Sequence, residues 1–263
     1  MPAVETMPQV AFGPARHSSV PKVSGGKLPV VYEESNFRPR YLDEYTGEVL
    51  APHLIEDELN YFNSKVWQIC SLEEMRKVPD YILVRSRWVL CNKGDAATPD
   101  VSARLVACEL NNGERNDMFA ASTPPLEAKR MLFARYVSEK VRGGKPLRLS
   151  FVDIRKAYFN AIPTRDVYVQ LPDEDVTPGM CGKLLRCMYG SRDAASRWEF
   201  TYTQAMLQLR FQQGRSSHCV FYHPTINLRT VLHGDDFKTL GDDDNPDWFE
   251  QKFAARFEIK IRG

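Results

Sequence analysis

The sequence predicts an α+β fold in which a β-sheet carries helices on one face. Two observations support this prediction. Short β-prone runs alternate with longer amphipathic segments, and turn residues separate the two kinds of segment. The chain has 263 residues, of which 43% are hydrophobic and 26% charged, so it can bury a sizeable core in one large or two small domains.

The first predicted elements follow a leader at residues 1–45. This leader is rich in Pro, Gly and Ser and has no sustained period, which predicts disorder. Residues 46–80 mix helix and loop spacings, and we expect them to support the domain that follows. The β-prone runs at 81–90 and 103–107 flank a turn region that contains Gly and Pro, which predicts a hairpin.

A strong helix is predicted next, because Pro124-Pro125 favours a helix start and Gly143-Gly144 favours a helix end. The elements predicted after it are, in chain order, a strand at 147–152, a strand at 167–171, a hairpin through 183–188, a helix at 193–209, strands at 220–222, 230–232 and 237–240, and a helix from 245 to about 257.

Charge, hydropathy and cysteine content indicate what the protein can bind and in which compartment it is expected. The formal charge of +1 gives no global basic field, so any nucleic-acid groove must come from local clustering. No apolar run is long enough to span a bilayer, which predicts an intracellular protein with no membrane partner. The cysteines form no CxxC pair, and we expect free thiols in a reducing compartment at Cys70, Cys91, Cys108, Cys181, Cys187 and Cys219.

Two acidic sites lie at predicted strand ends. Asp153 closes an apolar run, and Asp235 and Asp236 follow Gly234 in a turn between two apolar runs. A carboxylate at the end of a buried strand is costly unless it is paired, hydrogen-bonded or metal-bound. Neighbouring strand residues point to opposite faces, so we expect one acid of the pair to face Asp153 and the other to be peripheral. Taken alone, an Asp-Asp pair in a turn is more often a hydrogen-bonded β-turn.

Five blocks of sequence carry a family resemblance in their order and spacing. They are Arg87-Trp88-Val89 with Lys93 and 103–107, then 151–160, then 167–172, then 188–194 with Arg197-Trp198, and finally His233-Gly234-Asp235-Asp236. From about Glu48 to the C-terminus, these blocks resemble the reverse transcriptase of copia-type retrotransposons. The resemblance implies a right-hand polymerase with fingers at 81–146 and, at 147–263, an antiparallel palm sheet backed by helices and the start of a thumb.

The resemblance also implies a reaction and its partners. The expected activity is RNA-directed DNA polymerisation by part of a Pol polyprotein, in which a primer 3′-hydroxyl attacks the α-phosphate of a deoxynucleoside triphosphate. The partners would be an RNA template and a DNA primer, and the location would be the cytoplasm, virus-like particles or the nucleus. By position in the motifs, Asp153 and Asp235 would hold Mg²⁺ or Mn²⁺, and the Ile154 carbonyl and Asp236 would assist.

Five further positions match residues around the nucleotide in that family. Lys93 and Arg104 would meet the triphosphate, although either one alone reads as an ordinary solvated charge. Tyr158 resembles the aromatic gate beneath the nucleotide sugar, and its alternative is a core aromatic. Gly190 and Arg192 would shape the nucleotide and template side of the pocket.

The sequence departs from the family at several positions. His233 replaces an aromatic residue, Gly234 a branched one, Arg192-Asp193 a Lys-Gln pair, and Ser102 a lysine. The extra acid at Asp193 is expected to weaken the attraction for phosphate. A catalytically silent, retrotransposon-derived module that binds nucleic acid or protein is therefore the alternative, and an unselected product that folds poorly is a third hypothesis.

Overall fold

Two β-sheets organise the chain in a computed structural model. The structure describes residues 52–92, 100–109, 121–141, 146–242 and 244–262. The predicted leader and Lys93 lie outside the described residues.

The first described elements lead into a long hairpin. In chain order they are α1 (Pro52–Tyr61), a π-helical turn (Phe62–Val66), β1 (Trp67–Ser71), α2 (Leu72–Arg76), β2 (Ile82–Asn92) and β3 (Val101–Cys108). The antiparallel pairing of β2 with β3 confirms the predicted hairpin. The strand β1 was not predicted, although Ser71 and Glu74 form a capping box that starts α2 and is visible as Ser-x-x-Glu.

The remaining elements follow the predicted order closely. They are α3 (Leu126–Val141), β4 (Leu147–Ile154), a 3₁₀ turn (Ala157–Asn160), β5 (Val167–Val169), a 3₁₀ turn (Asp173–Asp175), β6 (Met180–Leu184), α4 (Ala194–Gln208), β7 (Gln212–Gln213), β8 (Val220–His223), β9 (Leu228–His233), β10 (Asp236–Asp242), α5 (Asn245–Ala254) and β11 (Ile259–Ile261). The α+β class is therefore confirmed. Among the helices that the structure describes, none is long and apolar enough to cross a membrane.

The predicted hairpin through 183–188 is wrong. The strand β6 ends at Leu184, and none of the described residues 185–188 is in a strand. The amides of Leu185 and Arg186 instead donate to the carbonyl of Val66, so β6 pairs with β1 and not with the residues that follow it. Because this partner lies far away in the sequence, the local pattern carried no sign of it.

The first sheet has the strand order β1-β6-β5-β2-β3. It is mixed, because β2 and β5 are parallel while the other neighbours are antiparallel. The strands β5 and β6 come from the range predicted as palm, 147–263, and they pair with strands of the two ranges before it. The predicted boundary near residue 146 is therefore not a boundary between the two sheets.

The second sheet is antiparallel throughout and has the order β11-β4-β10-β9-β8-β7. Its second strand, β4, carries apolar residues on both faces. Val152 and Ile154 belong to one core cluster with α4 and α5, whereas Leu147 and Leu149 pack beside Leu132 of α3. Helices therefore cover both faces of this sheet, and the prediction of helices on one face is wrong.

A buried ionic cluster joins the end of β3 to the start of α4. Arg165 Nη1 lies 2.5 Å from Glu109 Oε1, and Arg165 Nη2 lies 2.9 Å from Asp193 Oδ1. The side chains of Glu109 and Asp193 are only 7% and 2% exposed. Burial by itself lowers the pKa of Arg165, but the hydrogen bonds and charges of these two acids outweigh it, so the pKa is raised. Asp193 is thus buried and paired with Arg165, while its expected effect on the attraction for phosphate stays a prediction.

Replacing Arg165 with alanine should lower the free energy of unfolding by about 3–5 kcal/mol, because two buried carboxylates lose their counter-charge. The matched control is Arg155→Ala, since Arg155 pairs with Glu258 at 2.8 Å but both side chains are more than half exposed. This control should cost only about 0–1 kcal/mol. Urea denaturation followed by circular dichroism measures both values, and similar small losses would contradict the structural role of the cluster.

Candidate functional site

The strands β4 and β10 bring two carboxylates side by side. Asp153 and Asp236 are register partners across this antiparallel pair, so both side chains emerge on the same face of the sheet. The amide of Ile154 donates to the carbonyl of Asp235 over 2.9 Å, which holds the turn that carries Asp235 against the end of β4. The site therefore lies where the C-terminal end of β4 meets the N-terminal end of the neighbouring strand β10.

The turn between β9 and β10 has two residues, Gly234 and Asp235, because His233 pairs with Asp236. Gly234 has φ +65°, and glycine at the first position of a two-residue loop is typical of a type II′ hairpin. The buried indole of Trp198 in α4 donates to the Gly234 carbonyl over 3.0 Å. The positive φ of the turn thus favours glycine at this position.

Asp153, Asp235 and Asp236 form one carboxylate cluster. Each offers an oxygen, and the three oxygens lie within 4.8 Å of one another. The expectation that one acid of the Asp-Asp pair would be peripheral is therefore wrong, because the turn redirects Asp235 toward the other two. Hard carboxylate oxygens from three side chains are the donors that Mg²⁺ and Mn²⁺ prefer, so these residues fit such a cation.

Two basic side chains compensate part of this negative charge. Arg262 Nη2 lies 2.9 Å from Asp153 Oδ2, and Lys238 Nζ lies 3.7 Å from Asp236 Oδ2. Asp235 has no ion-pair partner among the described residues. Loss of hydration raises the pKa of Asp235, and the neighbouring charges of Asp153 and Asp236 raise it further. The cluster is therefore short of positive charge at Asp235.

An aromatic pair connects this cluster to the β2–β3 hairpin. The rings of Tyr158 and Tyr189 are 4.8 Å apart, and the guanidinium of Arg104 lies 5.4 Å from the centre of the Tyr189 ring. Burial and then the charge of Asp235 raise the pKa of Tyr158, and burial raises the pKa of Tyr189 to about 12. Both phenols are therefore neutral near pH 7. Tyr158 thus lies near Asp235, and Arg104 is linked to it through the Tyr189 ring, while contacts of Tyr158 and Arg104 with a nucleotide stay predictions.

Gly190 packs closely against the backbone of β3. It has φ +87°, and a Cβ built there would lie 2.0 Å from the carbonyl oxygen of Ala107 in β3. The Ala107 amide also donates to the Tyr189 carbonyl over 2.7 Å. The backbone that approaches Gly190 is thus β3, and a contact with nucleotide stays a prediction. For Arg192, the structure shows that its amide donates to Glu109 Oε2 over 2.8 Å.

Sequence reasoning gave no role to several residues that position the site. Lys156 has φ +50° just after β4, and its Nζ lies 2.8 Å from Glu58 Oε2 and 3.6 Å from the centre of the Tyr61 ring. These contacts attach the turn after Asp153 to α1. Nothing local in the sequence identifies these contacts, because Glu58 and Tyr61 lie almost a hundred residues before Lys156.

Comparisons with known proteins give a distant structural likeness. No protein-family model matches the chain, and no curated protein matches it. Telomerase from Candida albicans, solved in complex with a TWJ fragment of telomeric RNA, is similar with a TM-score of 0.48 and 8% identity, covering 81% of this chain and 46% of that one. Apo telomerase from Candida tropicalis, truncated from its C-terminal domain, gives 0.45 and 9%, covering 80% and 54%. The chain thus spans about half the length of these two proteins.

Gly190→Ala should lower the free energy of unfolding by about 3 kcal/mol or more, because a positive φ and a backbone clash add together. Gly179→Ala is the matched control. Gly179 has φ +80°, but its Cβ would meet nothing within 4 Å, so only the strain of about 1–2 kcal/mol is expected. Chemical denaturation measures both values, and equal losses would contradict the close approach of β3.

Arg262→Gln should tighten the binding of Mn²⁺ by about fivefold, the equivalent of roughly 1 kcal/mol for an exposed ion pair, because Asp153 loses a competing cation. Isothermal titration calorimetry with MnCl₂ measures the change. Arg155→Gln is the control, since Arg155 directly follows β4 but binds Glu258 outside the cluster. Unchanged affinity in Arg262→Gln, or an equal gain in the control, would argue against the cluster as the cation site.

Proposed function

We propose that this chain is the catalytic core of a reverse transcriptase of the copia-type retrotransposon class, derived from a Pol polyprotein. The observation that carries the proposal is the convergence of three carboxylate oxygens within 4.8 Å, from Asp153, Asp235 and Asp236. The proposed substrates are an RNA template, a DNA primer and deoxynucleoside triphosphates. The proposed location is the cytoplasm, virus-like particles or the nucleus.

The proposed role of the carboxylates is to hold Mg²⁺ or Mn²⁺, with Asp153 and Asp235 as the main ligands and Asp236 and the Ile154 carbonyl assisting. When bound, two such cations supply charge for the activation of an attacking hydroxyl and for the stabilisation of a leaving oxygen. The protein positions these ligands through the β4–β10 register and the rigid turn at Gly234. Arg262 must release Asp153 for this carboxylate to bind a cation with both oxygens.

The proposed nucleotide site lies between the carboxylate cluster and the β2–β3 hairpin. Arg104 is solvent-exposed above the Tyr189 ring, so its guanidinium is available to form a bidentate contact with phosphate oxygens. Tyr158 lies against Tyr189, where a rigid, neutral ring can limit the space beneath a sugar. Lys93, Gly190 and Arg192 complete the proposed contacts on the basis of their motif positions.

In this proposal the β2–β3 hairpin belongs to the fingers, within 81–146, and the second sheet belongs to the palm, within 147–263. The antiparallel order of the second sheet, with carboxylates at one edge and helices packed on both faces, supports the assignment to a palm. Residues 46–80 would brace the fingers, since β1 pairs with β6 of the first sheet.

One observation favours the alternative, a catalytically silent module that binds nucleic acid or protein. Arg262 pairs with Asp153 at 2.9 Å and so neutralises a carboxylate that a polymerase needs for its cations. A silent module would keep this ion pair permanently, because nothing would then select for cation binding. The two hypotheses therefore differ in whether divalent cations displace Arg262.

Primer extension on an RNA template tests the proposal. The wild type should extend a DNA primer with Mg²⁺ or Mn²⁺, and Asp153→Asn or Asp235→Asn should reduce the rate by more than about a hundredfold, since even outer-shell partners of metal ligands contribute 10–100-fold. Asp242→Asn is the control, because Asp242 lies at the other end of β10 and pairs in register with Leu147. Circular dichroism establishes that each variant is folded.

No extension by a folded wild type would contradict the polymerase proposal. If the same protein still bound an RNA–DNA duplex without needing a divalent cation, the silent module would be favoured. Equal loss of extension in Asp153→Asn and the Asp242→Asn control would show that the effect of the substitutions is structural.

A further inference from the structure

Two cysteines lie directly opposite each other in the first sheet, away from the carboxylate cluster. Cys70 of β1 and Cys181 of β6 are register partners, and their sulfur atoms are 3.7 Å apart. Both are free thiols. The sequence places them 111 positions apart, so their proximity depends entirely on the pairing of β1 with β6.

The backbone geometry of this pair suits a disulfide. In an antiparallel pair, hydrogen-bonded and non-hydrogen-bonded positions alternate, and the amide of Leu72 donates to the carbonyl of Gly179, two positions further along. Cys70 and Cys181 therefore also occupy a hydrogen-bonded position, where the Cα atoms are about 5.5 Å apart. This typical separation falls within the range of about 4.4–6.8 Å that disulfides span, so side-chain rotation can bring the sulfur atoms from 3.7 Å to bonding distance.

The two thiols differ in their access to solvent. Cys181 is fully buried and packs with Met75 and Tyr168. Cys70 is only partly buried and lines an open cleft of about 340 Å³ whose wall also includes Glu74 and Lys183. Burial, and then the hydrogen bond to Cys70, raise the pKa of the Cys181 thiol to about 12. A small oxidant thus meets Cys70 first, with a protonated Cys181 thiol behind it.

We propose that Cys70 and Cys181 form a reversible oxidation site, in which a hydroperoxide entering the cleft converts the dithiol pair into a cross-strand disulfide. With hydrogen peroxide, the thiolate of Cys70 attacks one oxygen atom, the O–O bond breaks and Cys70 becomes a sulfenic acid, while the released hydroxide takes up the Cys70 proton to form water. The Cys181 sulfur then attacks the sulfenic sulfur, which forms the S–S bond and expels the hydroxyl group as water. One peroxide is reduced by two electrons, and the two thiol protons end in two water molecules.

The disulfide connects β1 to the sheet by a covalent bond. β1 lies at one end of the order β1-β6-β5-β2-β3, and a bond to Cys181 closes a loop that contains β2, β3, α3, β4 and β5. A loop of this length removes much freedom from the unfolded chain. Oxidation should therefore stabilise the first sheet without touching the carboxylate cluster.

Peptide mapping without reduction tests the site on the whole chain. After treatment of reduced protein with hydrogen peroxide and blocking of the remaining thiols with N-ethylmaleimide, we expect one linked peptide pair that contains Cys70 and Cys181 and that dithiothreitol separates. The oxidised protein should melt about 5–10 °C higher than the reduced one, from the usual range for a disulfide in a domain of this size.

Variants separate the roles of the two sulfurs. In Cys181→Ser, dimedone should label Cys70, because its sulfenic acid can no longer be resolved, whereas Cys70→Ser should leave Cys181 unlabelled. Cys219→Ser is the matched control, since Cys219 is buried elsewhere and should leave the linkage intact. Linkage mainly through Cys108, or over-oxidation of Cys70 with Cys181 untouched in the wild type, would overturn the proposal. An unchanged melting temperature after linkage would overturn the stabilising role.

Discussion

The pairing of β4 with β10 is the constraint on which the site depends. β4 buries apolar side chains on both faces, so a slip of one residue would exchange its two faces and carry Asp153 into the core that Val152 and Ile154 now fill. Hydrophobic packing therefore fixes the register, and the register places Asp153 beside Asp236. The carboxylates meet because of forces that act on their apolar neighbours, since their own charges oppose the meeting.

The charge that this register concentrates must be compensated. Arg262 and Lys238 each neutralise one of the two cross-strand acids, while Asp235, in the turn, has neither of these partners. Asp235 adds a third carboxylate to the cluster, and loss of hydration and then the charges of Asp153 and Asp236 raise its pKa. Such unfavourable local charge is typical of functional sites, where a ligand supplies the missing interaction.

Sequence reasoning succeeded where the determining forces are local. The β2–β3 hairpin, α3, β4 and α4 follow from alternation, turn residues and helix signals that act over a few positions. It failed where the partner is remote: β1 is a strand because it pairs with β6, and Asp193 is buried because it pairs with Arg165. For the site, the order of the motifs predicted that Asp153 and Asp235 lie together. It could not predict that Gly190 contacts the backbone of β3, because that contact depends on tertiary packing.

One short segment sets the distance between the two halves of the proposed active site. Between β6 and the first turn of α4, the Tyr189 carbonyl accepts from Ala107 of β3, and the Arg192 amide donates to Glu109 just after that strand. A few residues later, Trp198 holds the carbonyl of Gly234 in the acidic turn. Arg104 belongs to the first sheet and Asp235 to a turn of the second. Both contact this part of the chain, Arg104 through the Tyr189 ring and the Asp235 turn through Trp198. A change in its packing would therefore alter the spacing between phosphate contact and carboxylates while leaving each of them locally intact.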